Sequence, residues 1–338
     1  MSHLSQINPQ NNSPVLEVRD LTVSYKTQRG LMKAVDGVSF TVNKGEILGL
    51  AGESACGKTT TALSIMRLHG ANAVVEGKIL LEGRDILQMS NEELRDFRWK
   101  RISMIPQGSM NSLDPVISVG NQITEAIQAH ENVHKSEAWK SAEKLLSSVS
   151  IDPSRAKNYP HEFSGGMKQR AVIAMALALN PSLVIADEPT TALDVVVQKQ
   201  LLLLLKELQR NLSISFLFVS HDLSVIGEIA DRLAVMYAGK IVEIGPKSVV
   251  LKQPSHPYTR ALVNSVPRVF GSRQLLHSIP GSPPTGIWPS GCRFHPRCEF
   301  AFELCKQKEP QLEVSMTGVH AACHLISQEK ETGFSTKR

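Results

Sequence analysis

Glu46-Ile-Leu-Gly-Leu-Ala51-Gly52-Glu53-Ser54-Ala55-Cys56-Gly57-Lys58-Thr59-Thr60 is the stretch that decides the architecture. Its opening apolar run, Glu46 to Ala51, has the pattern of a strand buried within a parallel sheet. Gly52 to Thr59 fits G-x-x-x-x-G-K-[ST], and Thr59 to Leu68 reads as a helix. Strand, glycine-rich loop and helix in this order form a phosphate cradle. Gly52 and Gly57 let the backbone of Glu53, Ser54, Ala55 and Cys56 wrap an anion with N–H groups, and the helix N-terminus adds a favourable dipole. Lys58 is suited to neutralise β/γ-phosphate charge and the Thr59 hydroxyl to ligate Mg²⁺, with Thr60 following in the helix. Cys56 inside the loop reads as a small filler rather than a nucleophile.

Further along, Leu183-Val-Ile-Ala-Asp187-Glu188 is an apolar strand ending in two acids. Asp187 at the strand tip is placed to hold Mg²⁺ through water, and Glu188 to polarise an attacking water as general base. Gln107 follows the run Ile102-Ser-Met-Ile-Pro106, and His221 follows Phe216-Leu-Phe-Val-Ser220. Ligands of α/β sheets bind at the carboxyl edge, so both side chains can reach a γ-phosphate or its water. Singly, each is an ordinary turn residue; their convergence on one crevice is the signal. Ser164-Gly165-Gly166, with Gln169 and Arg170 behind it, opens a helix from Met167 to Leu179, a second N-terminus suited to an anion.

The surrounding pattern agrees. Val15–Tyr25 and Ala34–Val42 alternate as strands, and residues 120–150 carry helical spacing. A helix from Val195 to Gln209, with Leu201 to Leu205 buried on several sides, separates the strands Leu183–Ala186 and Ser215–Val219. Such alternation predicts an α/β fold with helices on both faces of a parallel sheet. Pro254, Pro257, Pro267, Pro280, Pro283, Pro284, Pro289 and Pro296 then break up any long element, so a loop-rich appendage is expected from about residue 255.

The 338 residues suit two domains. Expected divisions are a polar arm over 1–14, a nucleotide-binding unit over 15–254 with its helical part at about 108–180, the appendage over 255–325 and a flexible tail over 326–338. Hydrophobic residues at 42% and charged residues at 20% suit a globular chain with a real core. Aromatics at 5% give little support to base-stacking surfaces, and a net charge of +5 is too mild to imply nucleic acid. No apolar run approaches the roughly 18–20 residues of a membrane span. Met1 to Pro14 lacks the apolar core of a secretion signal, so a reducing compartment is expected.

Taken in order, the phosphate loop, Gln107, Ser164-Gly165-Gly166, Asp187-Glu188, Leu193-Asp194 and His221 resemble the nucleotide-binding subunit of an ABC transporter, over roughly residues 15–250. That resemblance implies a P-loop core with a parallel sheet, an N-terminal antiparallel β-subdomain and a helical subdomain. It implies ATP and Mg²⁺, with Thr59 and Gln107 at the metal and Tyr25 stacked on adenine. Glu188, Gln107 and His221 would surround the reacting phosphate. Asp194 would belong to the loop between subunits, and Ser164, Gly165, Gly166 and Gln169 would face the ATP of a partner. The partners implied are a second ABC ATPase subunit, expected to be a paralogue, two integral membrane permeases and an extracellular or periplasmic substrate-binding protein. Such a subunit sits peripherally on the cytoplasmic side of the cell membrane and uses no nucleic acid. Ala55 stands where the loop often has Gly, Met167 and Lys168 replace the commoner Gln of the signature, and Gly108 follows Gln107 where Asp is frequent.

His256-Pro-Tyr-Thr-Arg-Ala-Leu262, Gly281-Ser-Pro-Pro284 and Cys292-x5-Cys298-x6-Cys305-x17-Cys323 resemble the C-terminal extension of oligopeptide/dipeptide importer ATPases. ATP-driven peptide uptake is therefore expected, with nickel or oligosaccharide as alternative cargo. A soluble ABC ATPase acting on nucleic acid or ribosomes fits less well, since there is a single phosphate loop and no long heptad insertion. In the cysteine tract, clustered thiolates could bind zinc or an iron–sulfur cluster. The tract lacks the paired close spacings of structural zinc sites, and the resemblance points to [4Fe–4S] on Cys292, Cys298, Cys305 and Cys323, with Zn²⁺ the alternative. His295, His320 and His324 stand nearby, read as solvated loop histidines.

Overall fold

A computed structural model describes residues 14–28, 30–265, 279–284 and 286–326. The polar arm before Pro14, Pro267 and all but the first residue of the expected tail lie outside the described residues. β1 (Pro14–Thr27) and β2 (Gly30–Asn43) pair antiparallel, and β3 (Ile47–Ala51) leads through the glycine loop into α1 (Lys58–Ile65). β4 (Ala73–Leu81) pairs with β1 and β5 (Arg84–Asp85) with β4. Then follow α2 (Asn91–Lys100), β6 (Ile102–Ile105), α3 (Val119–Gln128), α4 (Lys135–Ser148), α5 (Gly165–Ala176), β7 (Leu183–Asp187), α6 (Val195–Leu212), β8 (Ser215–Ser220) and α7 (Leu223–Ile229). β9 (Arg232–Tyr237), β10 (Lys240–Pro246), α8 (Lys247–Lys252), α9 (Pro257–Ser265), α10 (Glu303–Gln307), β11 (Glu313–Val314) and β12 (His320–Ala321) complete the order.

These strands make a four-stranded sheet, β2-β1-β4-β5, and an eight-stranded sheet, β11-β12-β10-β9-β3-β8-β7-β6. From β9 through β6 the large sheet is parallel; beyond β9 it turns antiparallel. Sequence alternation predicts the parallel part. The reversal follows from the connection between β9 and β10, only Ala238 and Gly239 at φ 45 and 80, because parallel strands need a crossover far longer than that.

Period-2 side-chain alternation splits β3 between two cores. Ile47 and Ala51 join Phe216, Phe218, Leu205 and Ile226 beneath the helices, while Leu48 and Leu50 join Leu217, Val219, Leu16 and Ile79 between the sheets. The leucine run of α6 is buried as expected at Leu201, Leu202, Leu204 and Leu205, and Leu203 is the exception at 62% exposed. Tyr258, Phe294 and Val319 from the proline-rich segment share the core beneath the helices, and β12 pairs with β10 through Glu243 and Ile244. Packing thus continues from the sheet into the appendage.

Candidate active site

The glycine loop closes on itself around Lys58. Gly52 takes φ 151, and a Cβ there would lie 2.3 Å from the Met236 carbonyl oxygen, so only glycine lets the loop leave β3 at this angle. Ala55 adopts the left-handed conformation at φ 64, the geometry that made an alanine at this position notable. Lys58 is 6% exposed, and its Nζ donates to the carbonyls of Gly52 at 2.8 Å and Glu53 at 2.9 Å, with the Cys56 Sγ at 3.6 Å. Burial raises the Cys56 thiol above its ordinary value against the pull of Lys58, which agrees with a filler role. Ser54 and Ala55 are exposed, and Thr60 is half-buried.

The two acids at the end of β7 differ sharply. Asp187 is 1% exposed; its Oδ1 accepts from Thr59 Oγ1 at 3.3 Å, while Oδ2 is buried with no hydrogen-bond partner. Burial, chiefly, pushes its carboxyl up, and neighbouring Glu188 adds to this while Thr59 and Lys58 oppose it. An orphaned, buried carboxylate oxygen beside a hydroxyl fits a hard divalent cation, which takes such oxygen ligands. Glu188 sits at φ 48, its carboxylate accepting from Gln107 Nε2 at 3.0 Å and Thr191 Oγ1 at 3.2 Å, with His221 Nδ1 2.9 Å away. Burial raises its carboxyl, but His221, Thr191 and Lys58 together outweigh that and hold it below the ordinary value. Glu188 is therefore an ionised acceptor, as a base must be. Gln107, Glu188 and His221 are joined in one network, and Thr59 joins Asp187.

Ser164 caps α5, its Oγ accepting from the Met167 N–H at 3.4 Å. A Cβ on Gly166 would come 2.7 Å from Val197 Cγ1, which explains glycine against α6. No hydrogen bond among the described residues joins the Ser164 turn to the phosphate loop. Gln169 needs correction: it is 2% exposed, and its Oε1 accepts from Ser109 Oγ at 2.7 Å. It ties α5 to the segment after Gln107 rather than facing outward with Ser164. Asp194 caps α6, accepting from the N–H groups of Val196 at 3.0 Å and Val197 at 2.9 Å. Tyr25 lies half-buried on β1.

Sequence reading missed two residues at the loop. Tyr258 Oη accepts from the Glu53 backbone N–H at 2.9 Å, and Arg297 grips the Glu53 carboxylate through two nitrogens at 2.7 and 3.0 Å. His256-Pro257-Tyr258 was the available signal, read only as part of the C-terminal extension.

The metal expectation for the cysteines is overturned. Cys292, Cys298, Cys305 and Cys323 do converge, but on a cavity of only about 10 Å³, and all four are free thiols. No group of three or more His, Cys, Asp or Glu among the described residues could hold a metal ion. Burial pushes Cys298 up to about 11 and Cys323 up to about 12, and raises Cys292. His295 Nδ1 and His324 Nε2 are engaged by the carbonyls of Cys292 and Lys308 at 2.9 and 2.8 Å. Neither [4Fe–4S] nor zinc is supported. The tract is a packed thiol cluster beside Phe294 and Phe300.

Comparison with known proteins bears on the whole assembly of features. Residues 35–191 match the ABC transporter family, and residues 242–305 match the oligopeptide/dipeptide transporter C-terminal region. The oligopeptide transport ATP-binding protein OppD of Haemophilus influenzae is 42% identical over 94% of this chain and 99% of its own length. The dipeptide transport ATP-binding protein DppD of Bacillus subtilis is 45% identical over 94% of this chain and 96% of its own. A dimeric post-hydrolysis structure of the ATP-binding cassette MJ0796 bound to ADP and Pi superposes with a TM-score of 0.62 at 25% identity, covering 69% of this chain and 98% of that one. Phosphate loop, paired acids, capped second helix and appended C-terminal region thus converge on one conclusion: the chain belongs to the ABC transporter family, as an ATP-hydrolysing subunit of the branch that carries the oligopeptide/dipeptide C-terminal region.

Proposed function

We propose that this subunit energises import of di- and oligopeptides, its Lys58 gripping the triphosphate and its Glu188 activating the water that cleaves it. The observation that carries the chemistry is the Glu188 carboxylate, depressed below its ordinary value and aimed by Gln107, Thr191 and His221 beside the Thr59–Asp187 pair. Glu188 takes a proton from water as it attacks; His221, 56% exposed at its side chain, is free to turn toward the γ-phosphate. Thr59, Asp187 and Gln107 would hold Mg²⁺, which neutralises charge on the phosphate oxygens when bound.

Peptide cargo is supported by the relatives named for oligopeptide and dipeptide transport and by the matching C-terminal region. Ser164, Gly165 and Gly166 present a capped helix end unbonded to this chain's own phosphate loop, which supports head-to-tail closure with a second ATPase subunit, with Asp194 near the seam. The segment after Gln107, with α3 and α4, would meet two membrane permeases, and a substrate-binding protein would supply cargo. No helix among the described residues is long and apolar enough to cross a membrane, so such permeases would provide the span and this chain would work peripherally on their cytoplasmic side. The division at residues 254–255 would then separate the nucleotide-binding unit from its extension.

Glu188→Gln provides the test. Turnover should fall by about 100-fold or more, the share a general base supplies, while ATP binding persists because the loop is untouched. Unchanged hydrolysis in a folded Glu188→Gln protein would refute the assignment.

A further inference from the structure

The phosphate loop is tied from outside as well as from within, and Glu53 takes part in both kinds of tie. Its backbone N–H donates to Tyr258 Oη at 2.9 Å, its carbonyl accepts from Lys58 Nζ at 2.9 Å, and its carboxylate receives Arg297 at 2.7 and 3.0 Å. Both outside partners are themselves fixed. Arg297, its side chain 6% exposed, donates through Nε to the Pro280 carbonyl at 2.8 Å and through Nη1 to Tyr237 Oη at 3.3 Å. Tyr258 is fully buried, with the Tyr237 and Phe294 ring centroids 4.6 and 5.3 Å from its own. Its own N–H donates to His256 Nδ1 at 3.0 Å.

This geometry differs from an ordinary surface ion pair, which contributes little because two long side chains must be ordered for it. Here the guanidinium is already ordered by its hydrogen bonds to Pro280 and Tyr237, and a bidentate pair fixes the plane of its acid. The loop has need of such a brace. Gly52 and Gly57 permit many conformations, and Ala55 at φ 64 is held in one that alanine disfavours. Lys58 Nζ is bonded to the Gly52 and Glu53 carbonyls, so its place depends on where the Glu53 peptide lies.

We propose that Arg297 and Tyr258 of the C-terminal extension are positioning residues for ATP: through Glu53 they hold the phosphate loop and Lys58 in the shape that receives the triphosphate. The inference rests on the phosphate-loop reading above. A preformed cradle spends less of the binding free energy on ordering, so the brace acts on nucleotide affinity. Its effect on the chemical step should be small, since neither residue bonds to Asp187, Glu188 or His221.

The test uses the full chain and ADP, which offers the β-phosphate and does not turn over, with affinity read by calorimetry and folding by thermal melting. Arg297→Met should weaken ADP by about tenfold, a typical penalty for losing preorganisation at a single brace, and raise KM for ATP in step while kcat stays within about twofold. Arg297→Lys, which can reach one carboxylate oxygen, should recover part of the loss. Tyr258→Phe keeps the ring and removes only the hydroxyl, and should weaken ADP by about threefold. Glu53→Gln combined with Arg297→Met should be no worse than the poorer single variant, because both act through one contact. Wild-type ADP affinity in folded Arg297→Met, full additivity in the double variant, or a fall in kcat at constant KM would each overturn the proposal. Should Arg297→Met fail to fold, Arg297→Lys and Tyr258→Phe decide by the same criteria. Lys58→Ala separates the two layers: if it abolishes ADP binding while folded Arg297→Met binds ADP as tightly as wild type, the brace alone is refuted. If Lys58→Ala leaves ADP binding intact, the phosphate-loop reading falls and the brace with it.

Discussion

The carboxyl edge of the parallel sheet and the C-terminal extension hold similar groups under opposite rules. At the edge, a buried carboxylate oxygen of Asp187 goes without a partner, Glu188 sits at φ 48, and His221 is largely exposed. Where β10 meets the extension, the buried groups Glu243 and Arg297 carry ties. Glu243, 0% exposed, accepts from the backbone N–H groups of Ser255 at 2.8 Å and His256 at 3.0 Å, and Arg297 has two carboxylate oxygens, a carbonyl and a phenol. At Asp187 the unmet carboxylate oxygen leaves room for a ligand to complete the set, whereas the fully bonded Glu243 and Arg297 act as scaffold. That contrast can be broken by substitution and by pH.

The largest effect should come from acid. His256 is 1% exposed, and burial lowers its imidazole from 6.5 to about 3, against the help of a hydrogen bond from its ring to the Ala322 backbone. Between those values the unfolded chain binds a proton that the folded chain refuses, so unfolding is favoured as pH falls from about 6.5 toward about 3. Glu243, which accepts the His256 N–H, works in the other direction: burial raises its carboxyl, so its contribution declines as pH rises through that raised value. Comparing wild type with His256→Asn leaves Glu243 in both and isolates the imidazole. Denaturant melts at pH 7 and pH 4 should show the stability gap between the two proteins narrowing by about 3 kcal/mol in acid. A constant gap would show that the fold leaves proton binding by His256 unchanged, so that burial does not lower its imidazole.

Next in size is Glu243→Gln. The amide keeps the shape but turns an NH₂ toward one of two backbone donors, so a buried N–H loses its acceptor. We expect a loss of about 2 kcal/mol in unfolding free energy, read from the urea midpoint. An unchanged midpoint would mean the start of α9 is held by packing alone.

How much of this was legible beforehand follows from separation along the chain. The phosphate loop, the acids after β7 and the caps at Ser164 and Asp194 lie in short consecutive runs, where spacing alone sets geometry. Gln169 misled because five residues along a helix turn a side chain by about 140° from Ser164, carrying it to Ser109 instead of the outer face. Arg297 and Glu53 are 244 positions apart, and no local pattern reports such a pair. The β10–β12 pairing involves only Glu243, Ile244, His320 and Ala321, too short for a period to register. For the thiols, spacing named residues that do converge, yet the packing that leaves them a cavity of only about 10 Å³ and no metal-holding group among the described residues cannot be read from spacing.

Asp187→Asn is the smallest effect and the sharpest, because the same carboxylate-to-amide change should now stabilise. Asp187 is nearly as buried as Glu243, but its Oδ2 accepts from no protein group, and burial raises its carboxyl, with Glu188 adding repulsion, by more than Thr59 and Lys58 lower it. Removing the charge takes away that penalty and leaves the Thr59 contact available to the amide oxygen. Without nucleotide or Mg²⁺, the folded protein should gain about 1 kcal/mol, the scale on which binding-site residues give up stability for function. With ATP present, Mg²⁺-dependent turnover should vanish in the same variant. A gain in the melting midpoint together with lost turnover would mean that this oxygen is kept for a cation. Were Asp187→Asn to destabilise as Glu243→Gln does, Asp187 would belong with the scaffold and the contrast between the two regions would be gone.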